Sequence, residues 1–263
     1  MEESSSLPQD LSKFDSLVEI IARLRAPDGC PWDREQTHRS LRSHLLSECY
    51  EVLEALDGGD PDKLCEELGD LLLQIMLHAQ IGRDGGEFEI RDVIRGIATK
   101  IVRRHPHVFG TEKAASAEEV THIWEEQKKG EREEGASVLE GVPKDMPALA
   151  RAYEISRRAV RVGFEWEDIE GVIDKLAEEV GEIKDTDTKE EKEKEFGDLL
   201  FTLVNVARWE GIDAEMALRE ANRKFCRRFT YMEELCRERG LNFSELSFEE
   251  KDALWEEAKR EVD

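Results

Sequence analysis

Apolar residues return every three or four positions along most of this chain. In LSKFDSLVEIIARLR, Leu11, Phe14, Val18, Ile21 and Leu24 fall on one face with the period of an amphipathic helix, while strand-like alternation bounded by turns is scarce. The pattern predicts an all-α protein. Turn-forming clusters cut it at 27–32 (PDGCPW), 57–61 (DGGDP), 83–89 (RDGGEFE), 105–110 (HPHVFG), 141–147 (GVPKDMP) and 163–168 (GFEWED). Ser116 with Glu119, Thr188 with Glu191 and Ser247 with Glu250 have the spacing of capping boxes, in which a hydroxyl and an acid three residues on satisfy free backbone amides.

The pattern also repeats itself. ELGDLLLQI (67–75) is answered by EFGDLLFTL (195–203), TKIVRRH (99–105) by RKFCRRF (223–229), and WEEQK (124–128) by WEEAK (255–259). The three matches keep their order, and each series follows a Trp-acid pair, Trp32-Asp33 or Trp166-Glu167, and an ExxE, which together indicate an internal duplication. Two helical modules are predicted, at 1–140 and 148–263, joined by a linker at 141–147.

One helix breaks the amphipathic rule. Glu195, Asp198, Thr202 and Asn205 follow a single stripe, with Phe196, Leu199, Leu200, Leu203, Val204 and Val206 around the rest. Acids at helical spacing usually form a solvated face, but a polar line through an apolar helix costs about 1–3 kcal/mol for each unpaired group unless it lines a site. The first module repeats the line with Glu67, Asp70 and Gln74. Upstream, Glu179 and Glu182 are also three apart, so each helix offers two carboxylates on one face. The segment between Glu182 and Glu195 is long enough to fold the second helix back on the first, which would bring four acids together. Such a group is tolerable around a cation, and oxygen ligands without His or Cys suit Mg²⁺ or Mn²⁺.

Composition narrows the setting. A formal charge of −24 over 263 residues repels phosphate backbones, so no nucleic-acid partner is expected, although local cations can still hold a small anion. No apolar run approaches the length of a membrane span and the start lacks the order of a signal peptide, so the expected setting is the cytoplasm, with no membrane. The five cysteines contain no CxxC pair and read as free thiols.

From LVEIIARLRAPDGCPWDREQTH through RRHPHVFG and GVPKDMPALARA to VGFEW, the chain resembles the MazG nucleoside triphosphate pyrophosphohydrolases of the all-α NTP pyrophosphatase superfamily. That family's metal motif, EExxE followed at an interval by ExxD, reads EEVGE (178–182) with EFGD (195–198), and in the first half SECYE (47–51) with ELGD (67–70), where Ser47 replaces the first Glu. The resemblance implies two tandem MazG-like modules, with a metal held by Glu179, Glu182, Glu195 and Asp198 and a second site at Glu48, Glu51, Glu67 and Asp70. It implies cleavage of nucleoside triphosphates between the α- and β-phosphates, giving monophosphate and pyrophosphate. Lys175, Lys224, Arg228 and Trp255 match nucleotide contacts of the family; Arg227 and Lys259 are further candidates by position. A basic residue that the family uses before ExxD is here Glu191, so either Lys192 or Lys194 substitutes or the contact is lost.

Glu178 is the candidate base. It lies one residue before a ligand and four before Glu182, within reach of the attacking water, whereas a serine hydroxyl is a poor base at pH 7. Lys100, Arg103, Arg104 and Trp124 match the nucleotide contacts in the first half, so that half is expected to bind substrate and turn it over slowly. The resemblance makes the C-terminal module the main catalytic one and a homodimer the expected assembly. His105-Pro106-His107 reads as a helix stop, and Trp32 as packing beneath the acidic helices. The rival readings are a relative of narrower substrate range, such as a dUTP or phosphoribosyl-ATP hydrolase, and a helical regulatory module that binds nucleotide or Mg²⁺ without turnover.

Overall fold

A computed structural model describes residues 8–130 and 135–262, which form twelve α-helices and no strand. The chain divides into two compact units, Met1–Arg132 and Glu133–Asp263. The first holds α1 (Phe14–Arg25), α2 (Pro31–Glu35), α3 (Arg42–Gly58), α4 (Pro61–Gly85), α5 (Ile90–Arg104), α6 (Pro106–Phe109) and α7 (Ala117–Gly130). The second holds α8 (Ala148–Val160), α9 (Ile169–Asp185), α10 (Lys189–Trp209), α11 (Ala214–Arg239) and α12 (Phe248–Glu261). The 141–147 stretch falls inside the second unit just before α8, and Arg158 of α8 donates to the Glu140 carbonyl at 2.6 Å.

Local chemistry sets the helix ends. Gly59, left-handed at φ 68°, closes α3, and the Asp60 side chain at once caps α4 by accepting from the amides of Asp62 and Lys63. That tight reversal lays α4 against α3. In the second unit Thr188 caps α10 by accepting from the Glu191 amide, and α10 returns along α9. Of the three predicted capping boxes, only Ser247 with Glu250 closes in both directions. At Ser116 the acid bonds the Ala115 amide instead, and at Thr188 it takes the threonine hydroxyl.

Core formation follows the predicted α1 face in part. Ile21 is buried with Leu41, Met76 and Leu77, and Leu17, Val18 and Leu24 pack around them. Leu11 lies ahead of the first helical residue and is exposed, because α1 begins only at Phe14. In the second unit Met232, Leu235 and Cys236 of α11 join Leu254 and Ala258 of α12. The α10 stripe shows an inversion of the usual order. Thr202 and Asn205 are buried, while Phe196, Leu200 and Leu203 on other faces are about half exposed. Likewise α5 buries none of its residues, although it carries Val93, Ile94, Ile97 and Ile101. No helix among the described residues is long and apolar enough to cross a membrane.

Candidate metal and nucleotide site

The paired acidic helices meet in both units. Asp168 caps α9, accepting from the Gly171 amide at 2.9 Å, and two turns further on the helix presents Glu178, Glu179 and Glu182. Glu179, Glu182 and, from α10, Glu195 each offer an oxygen within 4.8 Å of one another. Glu179 is buried, at 4% exposure, and its Oε2 has no hydrogen-bond partner. A cation would satisfy a buried carboxylate oxygen that has no partner beside two other carboxylates, and the all-oxygen donor set suits a hard divalent ion. Asp198 is exposed, one turn along α10 from Glu195, and stands outside that group of three.

Lys175 is the counterweight. Its Nζ lies 2.9 Å from Glu178 Oε1 and 2.9 Å from Glu179 Oε1, and these two partners, Glu179 first, hold its ammonium well above the usual lysine value. Glu178 therefore shares a lysine with the carboxylate of Glu179. The Glu182 carboxyl is pushed up by loss of hydration, with Glu179, Glu195 and Glu178 adding to the shift against the opposing Lys175.

The first unit has the same frame with different fittings. Glu48, Glu51 and Glu67 gather within 4.8 Å. The Gln74 amide donates to Glu48 at 3.5 Å while its own oxygen is buried and unpartnered, and Ser47 donates to Glu51 at 3.0 Å. Loss of hydration first, then Glu51 and Asp70, raises Glu48, with His44 and Gln74 opposing. His44 stands four residues before Glu48 as Lys175 stands before Glu179, an exchange visible only when the two ExxE motifs are set in register. Nearby, the Nδ1 atoms of His38 and His78 face each other at 2.7 Å with their rings 3° from parallel.

The remaining cations come from other helices. Arg228 of α11 lies 5.2 Å over the ring of Trp255 of α12, mirrored by Arg104 at 5.4 Å over Trp124 in the first unit. Lys224 is exposed on the same helix, Arg227 pairs with Glu220 at 3.4 Å, and Lys259 pairs with Glu256. Lys192 and Lys194 are exposed on the first turns of α10. His105 has the capping role expected of it, its Nδ1 meeting the Ile101 carbonyl at 2.7 Å.

A polar network that sequence reading did not anticipate ties α8 and the 163–166 segment to α10. Buried Ser156 donates to Asn205 and accepts from Arg208 Nε at 2.9 Å, and the Asn205 amide donates to the Phe201 carbonyl at 3.1 Å. Arg208 also grips Glu165 at 2.7 and 2.8 Å, and the Trp209 indole donates to the same carboxylate at 3.1 Å. Asn205 thus ends the polar stripe in a structural bond.

A family model described as a MazG nucleotide pyrophosphohydrolase domain matches residues 36–109 and 167–232, one segment in each unit. A protein of Thermotoga maritima named nucleoside triphosphate pyrophosphohydrolase/pyrophosphatase MazG is 47% identical over 94% of this chain and 95% of its own. A nucleoside triphosphate pyrophosphohydrolase of Escherichia coli K12 is 41% identical over 95% of this chain and 98% of its own. YabN of Bacillus subtilis, called uncharacterized, is 47% identical over 94% of this chain and 52% of its own.

Proposed function

The chain belongs to the MazG nucleotide pyrophosphohydrolase family and is a nucleotide pyrophosphatase, and from that premise we propose a Mg²⁺-dependent reaction, with Mn²⁺ able to substitute, that takes both NTPs and dNTPs to monophosphates and pyrophosphate. The observation that carries the metal is the unpartnered, buried Glu179 Oε2 beside Glu182 and Glu195. Glu179, Glu182, Glu195 and Asp198 would hold the ion, Asp198 by a rotamer change from its exposed position. When bound, the ion supplies charge neutralisation on the phosphates.

The chain's own residues do the rest. Lys175, now shared between Glu178 and Glu179, is the cation best placed to turn to an incoming phosphate. Its departure frees Glu178 to take the proton of the attacking water. The water oxygen joins phosphorus, the bond between the α- and β-phosphates breaks, and pyrophosphate leaves. Lys224, Arg227 and Arg228 hold the remaining negative charge, with Trp255 backing the Arg228 guanidinium.

A cytoplasmic homodimer is the assembly we favour. What supports it is the half-exposed Phe196, Leu200 and Leu203 face of α10. Pyrophosphate release from a panel of nucleotides, with Mg²⁺, Mn²⁺ or chelator, tests the reading. Release from several bases and both sugars is expected. Turnover of dUTP or phosphoribosyl-ATP alone would narrow the substrate, and binding without release would leave a regulatory module.

A further inference from the structure

All six histidines belong to the first unit, and two of them, His38 and His78, face each other away from the acidic cluster and have no part in the chemistry above. We propose that they form a proton-sensitive latch: sharing one proton they tie the turn that enters α3 to α4, and uptake of a further proton releases that turn, in the first unit alone.

Geometry carries the shared proton. The two Nδ1 atoms are 2.7 Å apart, the ring planes 3° from parallel and the ring centres 5.1 Å apart. Parallel faces cannot approach to the first of these distances, so the rings meet edge to edge, nitrogen to nitrogen. Two lone pairs there would repel and two N–H groups would collide, so one proton lies between them. A metal ion needs about 2.0–2.1 Å to each nitrogen, and none fits on the line between them.

The outer nitrogens decide which ring owns that proton. His38 Nε2 faces Glu87 Oε2 at 3.9 Å, whereas His78 Nε2 is buried without a partner. A lone pair is the less costly group to leave bare there, so His78 carries its proton on Nδ1 and donates it to His38, whose own N–H turns to Glu87. A second proton then has no good place. On His78 Nε2 it would be a buried charge without an acceptor, and on His38 Nδ1 it would drive the His78 proton to that same buried nitrogen. Burial, and then the facing His38, accordingly hold His78 below the ordinary histidine value.

Neighbouring charges do not relieve this. Glu87, in the turn after α4, is exposed and faces only the outer edge of His38. Toward α1, Arg25 and Asp84 are spent on each other at 2.7 Å. At the start of α5, Glu89 and Asp92 close a capping box, and in the entry turn Arg39 is exposed. His44 of α3 lies against Trp32. Relief comes by opening, because His38 is exposed and takes its proton freely once it has left His78.

The turn it would carry away leads into the first acidic helix. Thr37 and Ser40 close the turn by reciprocal bonds at 3.0 and 3.1 Å, and Leu41, next in the chain, is buried with Ile21, Met76 and Leu77. The following residue begins α3, which presents Glu48 and Glu51. Phe88, whose ring an added Cβ on Gly82 would meet at 2.8 Å, lies 6.0 Å from the His38 ring at 19° and completes its seat. The second unit has no such tie. With the acidic motifs in register, His38 corresponds to Ile169 and His78 to Val206, and the fully buried Leu41 to the fully buried Val172.

The test uses the full chain and compares wild type with His78→Val, which installs the second unit's residue, and with His38→Gln, at an exposed position safe for folding. In the chain labelled with ¹⁵N-histidine at pH 8, one imidazole should carry its proton on Nδ1 and show a scalar coupling to the Nδ1 of a second that carries its own on Nε2; either variant should abolish the coupling. Hydrogen exchange, corrected for its intrinsic pH dependence, reads the release. An opened histidine of ordinary value about 6.5 favours opening about tenfold by pH 5.5. Protection of the 36–45 peptide should therefore fall about tenfold between pH 8 and 5.5, while the 167–176 peptide of the second unit and the 36–45 peptide of His38→Gln change less than about twofold. Two histidines that both carry the proton on Nε2 and titrate independently, an equal fall in both units, or a fall that persists in His38→Gln would each overturn the latch. Turnover is not the readout, so failure of the hydrolase reading leaves the result intact.

Discussion

The Ser156–Asn205 bond invites a double-mutant cycle, because the duplication already contains its apolar version. Asn205 corresponds to Leu77 through the EFGD and ELGD motifs, and Ser156 lies four residues before the end of α8 as Ile21 lies four before the end of α1. Ile21 and Leu77 belong to one buried apolar cluster. In the second unit both polar residues are at least 95% buried, at 5% and 2% exposure, so removing one partner strands the other away from water. Asn205→Leu leaves the Ser156 hydroxyl without its acceptor and the Phe201 carbonyl without the side-chain amide, a cost of about 1–3 kcal/mol partly offset by added apolar burial. Ser156→Ile strands the Asn205 oxygen and Arg208 Nε and adds volume, about 2–3 kcal/mol. Together the two changes remove the stranded hydroxyl and amide oxygen and restore an aliphatic pair, leaving Arg208 Nε without its acceptor while Arg208 keeps its two contacts with Glu165. The double variant should cost only about 1–2 kcal/mol, which gives a favourable coupling of about 2 kcal/mol. Urea unfolding of the full chain by far-UV circular dichroism measures all four corners, with pyrophosphate release as a check that the claw survives. A double loss equal to the sum of the single losses within about 0.5 kcal/mol would refute the idea that the pair acts as one polar unit.

Other expectations follow from the site and its surroundings. Glu179→Gln or Asp198→Asn should reduce hydrolysis at least about a hundredfold by analogy with loss of a catalytic electrostatic group, and should erase the rise in unfolding temperature expected of the wild type with Mg²⁺; an intact rise in both would remove the claw as drawn. Lys224→Ala and Arg228→Ala should each raise KM about tenfold, since a charge-assisted contact is worth about 1.5–3 kcal/mol, and unchanged affinity and turnover would mark those residues as a solvated face. Glu178→Gln should lose most turnover, and a fragment from residue 135 onward should keep most of it if it self-associates; a fully active Glu178→Gln or a more active N-terminal fragment would reverse the assignment. His78 is held below the ordinary histidine value by burial and by the facing His38. A depressed value means that the folded state resists the proton, so its contribution is full above the ordinary value and lost as pH falls. Wild type should lose more stability between about pH 7 and 5 than His78→Phe, and equal losses would count against the pair.

Much of this protein was legible from local pattern. A 3.6-residue period is a property of neighbouring positions, so the helices, the turns at Gly59 and Gly163 and the duplication could be read directly. The claw was legible for the same reason: ExxE and ExxD spacings put acids on one face whatever the helix packs against. Which face meets what is a long-range matter, and there only the tertiary structure decided. Spacing put Glu195 and Asp198 together on α10, yet Glu195 alone joins Glu179 and Glu182, because the packing of α9 on α10 selects one turn. The polar stripe was visible, but that its far end at Asn205 is buried in a bond to Ser156, 49 residues away, is not written in either segment. Lys175 could be recognised as a cation near the acids; that it divides itself between Glu178 and Glu179 required rotamers and distances. The Trp166 indole reached the Gly171 face of α9 only through the turn between them and the anchoring of Glu165 to α10. Periodicity determines secondary structure because it is written in each segment; partner choice depends on which surfaces remain when all the helices have packed.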